Sequence, residues 1–345
     1  MSTHSKKLIP VFIVNDTSAD SHYGCYAVMN TIKFLAQKNN LDIVGYWPVH
    51  KEWYNNQTFN EKLLSSHLVI INGEGTIHDD LKSASALLEL ASYAKNLGRP
   101  TALINTGWER MSPNYGELLS NFELVSARDT ASAERIRKYK NDVRTVPDLS
   151  IVSCMMIPEI NVLRKSIGIT DSVLTEKSLE LFKLKKSLDA KLVSIFDKKK
   201  STLLQFIRKG TSIKNGLMNP LEAIKSIQMR GELWSLSHSS LDEFIYDLST
   251  LELLVSGRFH ACTLSLITQT PFLAIESNTS KISSLIHDAQ LENWRLVKNI
   301  NKLHCHERGL YGWSLREAKN IRNYTLEAIF SAQKLFLDLR KLADQ

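Results

Sequence analysis

LELLVSGRFHACTLSLI, residues 251–267, is the stretch from which the fold of this chain can be read. Its apolar start predicts a strand over 251–256, Ser256-Gly257 a turn, and the run from His260 to Ile267 a helix. A strand that turns directly into a helix presents backbone N–H groups at its end, and a helix N-terminus favours an anion there. Arg258 adds a planar fork of donors suited to a carboxylate or phosphate, and His260 adds a side chain that exchanges protons near neutral pH. Taken singly, such a histidine is more often structural and such an arginine more often a surface ion pair. Their convergence beside a glycine at a strand end points to function.

The same alternation extends in both directions. Toward the N-terminus, strands are expected at 11–14, 42–46, 68–71, 101–105, 123–126 and 143–146, with helices at 24–38, 83–96 and 129–140. Pro147-Asp148-Leu149 closes that series. The pattern restarts with strands at 166–170 and 192–196 around a helix at 173–188. Helices at 220–229 and 240–249 precede the opening stretch; a strand at 272–276 and helices at 280–289 and 315–342 come after it. Strands alternating with helices imply right-handed crossovers and parallel sheets covered on both faces. The expected fold is α/β: two Rossmann-like lobes, 1–150 and 151–314, with an active-site cleft between them and a terminal helix over 315–345.

The length of 345 residues suits two domains, and 43% hydrophobic with 23% charged residues is the composition of a folded globular protein. No run of about 18 apolar residues offers a membrane span, and the apolar stretch at 8–14 ends too soon for a signal peptide. Cys25, Cys154, Cys262 and Cys305 lack metal-ligand or disulfide-framework spacing, so a reducing cytoplasm is expected. His304-Cys305-His306 has no distant partner pair in the sequence, and no metal site is expected. The net charge of +7 is concentrated between Lys177 and Arg230, where thirteen Lys/Arg face four Asp/Glu. That segment is either a solvated face or a patch for anionic membrane headgroups or a diphosphate-linked lipid, which would make the protein peripheral to the inner membrane face. Nothing resembling a nucleic-acid-binding motif accompanies the charge.

Two further strand ends carry polar residues. Asn72-Gly73-Glu74-Gly75-Thr76-Ile77-His78-Asp79 reads as a strand, a Gly-x-Gly turn and then a helix, by which amides approach a phosphate closely. Glu74 and Asp79 are candidates to orient or deprotonate an acceptor hydroxyl, or simply to cap the next helix. The loop Asn15 to Cys25 comes after the first strand and meets the first helix at Gly24. His22 there either contacts substrate or caps that helix, and burial is expected for Cys25.

Gly73-Glu74-Gly75 with Asp79, Ser126-Ala-Arg128-Asp129, Pro147-Asp148, and above all Ser256-Gly257-Arg258-Phe259-His260 with Pro271-Phe-Leu-Ala-Ile275 and Lys281 together resemble the polysaccharide pyruvyl transferase family over roughly residues 10–290. The resemblance implies a GT-B-like fold and transfer of the enolpyruvyl unit of phosphoenolpyruvate onto two hydroxyls of a sugar, giving a cyclic ketal and phosphate. It implies phosphoenolpyruvate as co-substrate, with no other cofactor and no metal. Ser256, Gly257, Arg258 and Lys281 would hold the donor, and His260 would protonate it. Glu74 or Asp79 would be the base, and His22, Gly24, Gly73 and Gly75 would line the acceptor or phosphate side. The acceptor would be a saccharide of a capsule, lipopolysaccharide or exopolysaccharide, or its lipid-linked precursor. Glu74 stands where many members carry a glycine, which bears on acceptor and donor identity. A GT-B glycosyltransferase using a nucleotide sugar would need the same anion-holding residues, and a non-catalytic glycan or nucleotide binder could keep the same fold.

Overall fold

A computed structural model of the protein describes residues 7–158, 160–198, 220–300 and 308–345. Five of the thirteen basic residues of the segment expected to face a membrane, Lys199, Lys200, Arg208, Lys209 and Lys214, lie outside these residues, as does His304-Cys305-His306. Contacts divide the chain into two compact units. The first comprises Met1–Asp20, Val28–Ser153 and Leu326–Gln345; the second comprises Ser21–Ala27 and Cys154–Thr325.

The first unit is built on a parallel sheet of six strands in the order β2-β1-β3-β4-β5-β6. They are β1 (Ile9–Asp16), β2 (Leu41–Pro48), β3 (Leu68–Asn72), β4 (Thr101–Thr106), β5 (Leu124–Ala127) and β6 (Arg144–Thr145). Every residue of β3, β4 and β5 is buried, as expected of strands covered by helices on both faces. The helices in this part of the chain are α1 (Tyr23–Lys38), α2 (Gln57–Ser65), α3 (Lys82–Asn96), α4 (Pro113–Glu117), α5 (Thr130–Arg137) and α6 (Leu149–Val152). Asn56 caps α2 by accepting from the Phe59 amide at 3.1 Å, and Asp129 caps α5 by accepting from the Ser132 amide at 2.7 Å. Phe12, Phe59, Leu63, Leu88 and Leu103 belong to one core cluster of this unit. Each such side chain contributes about 1.5–3 kcal/mol when taken fully out of water.

The second unit holds a parallel sheet in the order β10-β9-β7-β8. Its strands are β7 (Ser166–Ser172), β8 (Lys191–Leu192), β9 (Leu251–Gly257) and β10 (Phe272–Ala274). The helices in this part of the chain are α7 (Thr175–Ser187), α8 (Pro220–Ser235), α9 (Leu241–Ser249), α10 (Phe259–Ile267), α11 (Lys281–Asp288) and the long α12 (Leu315–Ala343), which from Leu326 on belongs to the first unit. α10 is buried from Phe259 through Leu266, which explains why its sequence is apolar on all sides. At the start of α12, Glu317 receives Arg295 through Nε at 2.5 Å and Nη2 at 2.7 Å. The same guanidinium donates to the carbonyls of Phe272, Tyr311 and Gly312, so a fully buried charge is saturated with partners.

One strand is much shorter than its composition suggests. The sequence predicts a strand over 192–196, yet β8 ends at Leu192. Val193 still donates to Ile169 at 2.8 Å, after which the chain turns to the segment ahead of α1. Tyr23 donates to the Ile195 carbonyl at 2.9 Å, Asp197 donates to the Ser21 carbonyl at 2.9 Å, and His22 pairs with Phe196 in an isolated antiparallel bridge. Residues 21–23 thus take up the hydrogen bonds that a longer strand would have offered to a sheet neighbour.

Candidate active site

The turn at the end of β9 is fixed from below by hydroxyls. Ser256 Oγ accepts from the Arg258 amide at 3.0 Å and lies 2.9 Å from Thr170 Oγ1, which in turn accepts from the Gly257 amide at 3.2 Å. A Cβ on Gly257 would stand 2.5 Å from the Ser172 Cβ and 2.9 Å from the Asp171 carbonyl oxygen, so no larger residue fits where β7 and β9 approach. Arg258 occupies the position before α10 without capping it through its side chain. The guanidinium turns instead to β7. Nε donates to Asp171 Oδ1 at 2.7 Å, and Nη2 pairs with Asp171 Oδ2. The ring of Phe196 packs against it, with the guanidinium carbon 5.0 Å from the ring centroid. Both Arg258 and Asp171 are buried.

His260 sits in the first turn of α10, buried, with its ring centroid 5.4 Å from that of His22. Its ring lies against the backbone of Gly24: a Cβ there would come within 2.1 Å of the imidazole Cγ. The absence of a side chain at position 24 is therefore what lets the imidazole rest on the start of α1. His22 Nδ1 accepts from the Gly24 amide at 3.1 Å, which caps α1. Burial, and then the charges of His260, Arg258 and Lys281, hold the His22 pKa well below its ordinary value, keeping this imidazole neutral. Lys281 opens α11, with its ammonium 3.3 Å from Asn278 Oδ1. The second unit thus gathers six of the residues expected from sequence: His22, Gly24, Ser256, Gly257, Arg258 and His260, with Lys281 close enough to act on His22 electrostatically.

Asp171, Phe196 and Glu276 also belong to this site and were not singled out from sequence. Asp171 lies one residue past the expected end of its strand, and a carboxylate just after the apolar run at 167–169 was the signal that could have found it. Glu276 accepts from the amides of Ile282 at 3.3 Å and Ser283 at 3.2 Å. A carboxylate therefore already occupies the N-terminus of α11, leaving Lys281 as the cationic feature of that helix start. One ligand atom each from His22, Cys25 and His260 lies within 4.8 Å of the other two, a donor set able to hold a metal ion.

The first unit holds the remaining expected residues in a different setting. The Gly73-Glu74-Gly75 turn does not lead into a helix: α3 begins only at Lys82, after Leu81, which makes no side-chain cap. The expected convergence of amides at a helix start is absent there, because residues 74–81 form an irregular excursion. Gly73 is tight, since a Cβ would lie 2.5 Å from the Thr106 Cβ, whereas Gly75 is open but has φ of +65°. Glu74 is buried, and its Oε2 accepts from Thr17 Oγ1 at 2.6 Å and from Asn72 Nδ2 at 3.3 Å. Asn15 Nδ2 completes the network by donating to the Asn72 carbonyl at 2.6 Å and to Thr76 Oγ1 at 3.0 Å. Asp79 lies apart from this network in an exposed ion pair with Arg110 and His78, with Oδ2 accepting from Arg110 Nη2 at 2.8 Å. The Arg110 guanidinium pulls its carboxyl down to about 2. Asp129 and Asp148 both serve as helix caps, and Arg128 Nη1 stands 3.7 Å from Asp148 Oδ2.

Comparison with known proteins agrees with this architecture. A family model described as polysaccharide pyruvyl transferase matches residues 22–279, most of the chain and all of the second-unit site up to Asn278. No curated protein matches the sequence. Among solved structures, a UDP-N-acetylglucosamine 2-epimerase is similar at a TM-score of 0.51 with 9% identity, covering 97% of this chain and 95% of that one. The MnaA protein of S. aureus, solved with UDP, has a TM-score of 0.52 at 11% identity, covering 95% of each chain. At such identities the likeness concerns the fold, which is the two-sheet α/β arrangement of GT-B-type enzymes. Among the described residues no helix is long and apolar enough to cross a membrane.

Proposed function

The chain belongs to the polysaccharide pyruvyl transferase family and is a transferase; from that premise we propose that it moves the enolpyruvyl unit of phosphoenolpyruvate onto a sugar of a cell-surface polysaccharide or its lipid-linked precursor. The observation that carries this reading is the placement of the His260 imidazole on the bare backbone of Gly24, in the same unit as the Arg258 turn and beside the charge of Lys281.

The chemistry assigns each group a task. His260 gives a proton to the methylene carbon of phosphoenolpyruvate, and positive character develops at the carbon bearing the phosphate. A sugar hydroxyl oxygen bonds to that carbon and surrenders its proton to a carboxylate. The second hydroxyl then displaces phosphate, closing the cyclic ketal and returning its proton to the His260 imidazole. Lys281 and the remaining amine of Arg258 hold the donor carboxylate and phosphate, while Asp171 keeps the guanidinium plane from turning. Of the two carboxylates proposed as the base, Glu74 is the better suited: Asp79, already pulled down to about 2, is a poor proton acceptor at neutral pH. The acceptor arrives on a lipid carrier at the inner face of the membrane, where the basic segment 177–230 meets anionic headgroups and the enzyme works from the cytoplasm.

Phosphorus NMR of the purified protein with phosphoenolpyruvate and saccharide acceptors tests the reading. Inorganic phosphate is expected to form, and to form at least about a hundredfold more slowly with His260→Ala. Release of a nucleotide from a nucleotide sugar, with phosphoenolpyruvate untouched, overturns it.

A further inference from the structure

We propose that His22, Cys25 and His260 form a binding site for a thiophilic divalent cation of the zinc class, and that its occupancy switches the enzyme off. Binding rests on the side chains alone. Inhibition rests on the transfer reading, because the cation would take the nitrogen lone pair of the residue assigned to protonate the donor.

Two nitrogens and one sulfur are the ligand types zinc accepts, and three protein ligands leave a fourth position for water. The ligand atoms lie within 4.8 Å of one another, whereas a tetrahedral zinc site places them about 3.3–3.8 Å apart, so side-chain rotations of roughly an ångström complete it. The three residues ride on fixed backbone in one unit. His22 is pinned by its bridge to Phe196, Cys25 stands in the first turn of α1, and His260 stands in the first turn of α10 against Gly24. His22 is only half-buried, which gives an ion a way in.

Two features oppose binding and both are met. His22 Nδ1 accepts from the Gly24 amide, and a cation at that nitrogen displaces the bond. Losing one neutral hydrogen bond is a small cost beside three metal–ligand bonds. The charges of Arg258 and Lys281 are felt at His22, but the first is paired with Asp171, and the Cys25 sulfur brings a negative charge when it loses its proton to solvent on binding.

Cobalt(II) is the probe. Titrated into the intact protein, it is expected to give a thiolate-to-cobalt charge-transfer band saturating at one equivalent and abolished by zinc. Cys25→Ser should remove the band, His22→Gln should weaken binding at least tenfold, and Cys305→Ser, which alters the other His-Cys-His stretch, should leave it intact. No band, a band that survives Cys25→Ser, or one lost only in Cys305→Ser overturns the site. In the phosphate-release assay, zinc should inhibit the parent protein, and Cys25→Ser, with metal-free turnover within twofold of the parent, should need at least tenfold more zinc. Zinc bound through Cys25 without inhibition overturns the switch. Cobalt binding in a protein that never turns over phosphoenolpyruvate sinks the transfer reading and leaves the metal site standing.

Discussion

The glycine turn after β3 and the glycine turn after β9 occupy equivalent places, the carboxyl end of a central parallel strand, yet they are built for different work. After β9 the chain enters α10 within two residues, and the buried carboxylate beside the turn, Asp171, is matched by a guanidinium. After β3 the chain wanders to Lys82 before a helix forms, and the buried carboxylate of that turn, Glu74, accepts from a hydroxyl and an amide. In one turn the carboxylate sits in an ion pair, and in the other it accepts from the Thr17 hydroxyl and the Asn72 amide. Similar strand-turn sequences thus give an ion-paired guanidinium in one unit and a buried, hydrogen-bonded carboxylate in the other.

Asp171→Ala attacks the comparison most directly. It strands a buried guanidinium and should cost about 3 kcal/mol in urea unfolding, whereas adding Arg258→Ala should recover at least about 1 kcal/mol of that loss. Additive effects in that cycle would show that the pair is not a unit. Gly24→Ala comes next. Its methyl must displace the His260 ring, so turnover should fall about a hundredfold, equivalent to about 2.7 kcal/mol. Gly75→Ala, where space is open and only the positive φ is strained, should cost about 1 kcal/mol of stability and little turnover. Glu74→Gln keeps an oxygen for Thr17 and Asn72 but weakens both bonds by removing the charge, and should destabilise by about 1–2 kcal/mol; a turnover loss well beyond that marks Glu74 as the base. Asp79→Asn should change stability by less than about 0.5 kcal/mol, because its ion pair is exposed. Its folded pKa is depressed to about 2, so whatever it contributes is fully present above the ordinary carboxylate pKa and is lost as pH falls from there through about 2.

Much of this fold could be read from sequence because its strands are buried on both faces and its helices are bounded by caps and glycines. Leu68–Asn72 and Leu251–Gly257 are near-continuous apolar runs, and Asp129 and Gly98 mark helix limits by local chemistry. The features that escaped were long-range. The shortness of β8 arises from Ser21–Tyr23 hydrogen-bonding residues 195–197, a pairing more than 170 positions apart that no window of sequence contains. Asp171 escaped for the same reason, since its meaning depends on Arg258, 87 residues away. The helix expected over 83–96 forms at Lys82–Asn96, but the irregular stretch 74–81 before it escaped, because a Gly-x-Gly turn specifies close backbone approach and leaves the conformation of the next residues open.

Because Asp171 meets Arg258 before any ligand arrives, that residue offers an incoming anion an oriented dipole in place of a monopole. Dipolar fields fade over a shorter distance than the screening length of physiological salt, about 8 Å, so this grip works at contact and contributes nothing to long-range steering. Selection at this turn should therefore depend on the contour of the ligand and hardly on its valence, and moderate changes in ionic strength should leave it undisturbed.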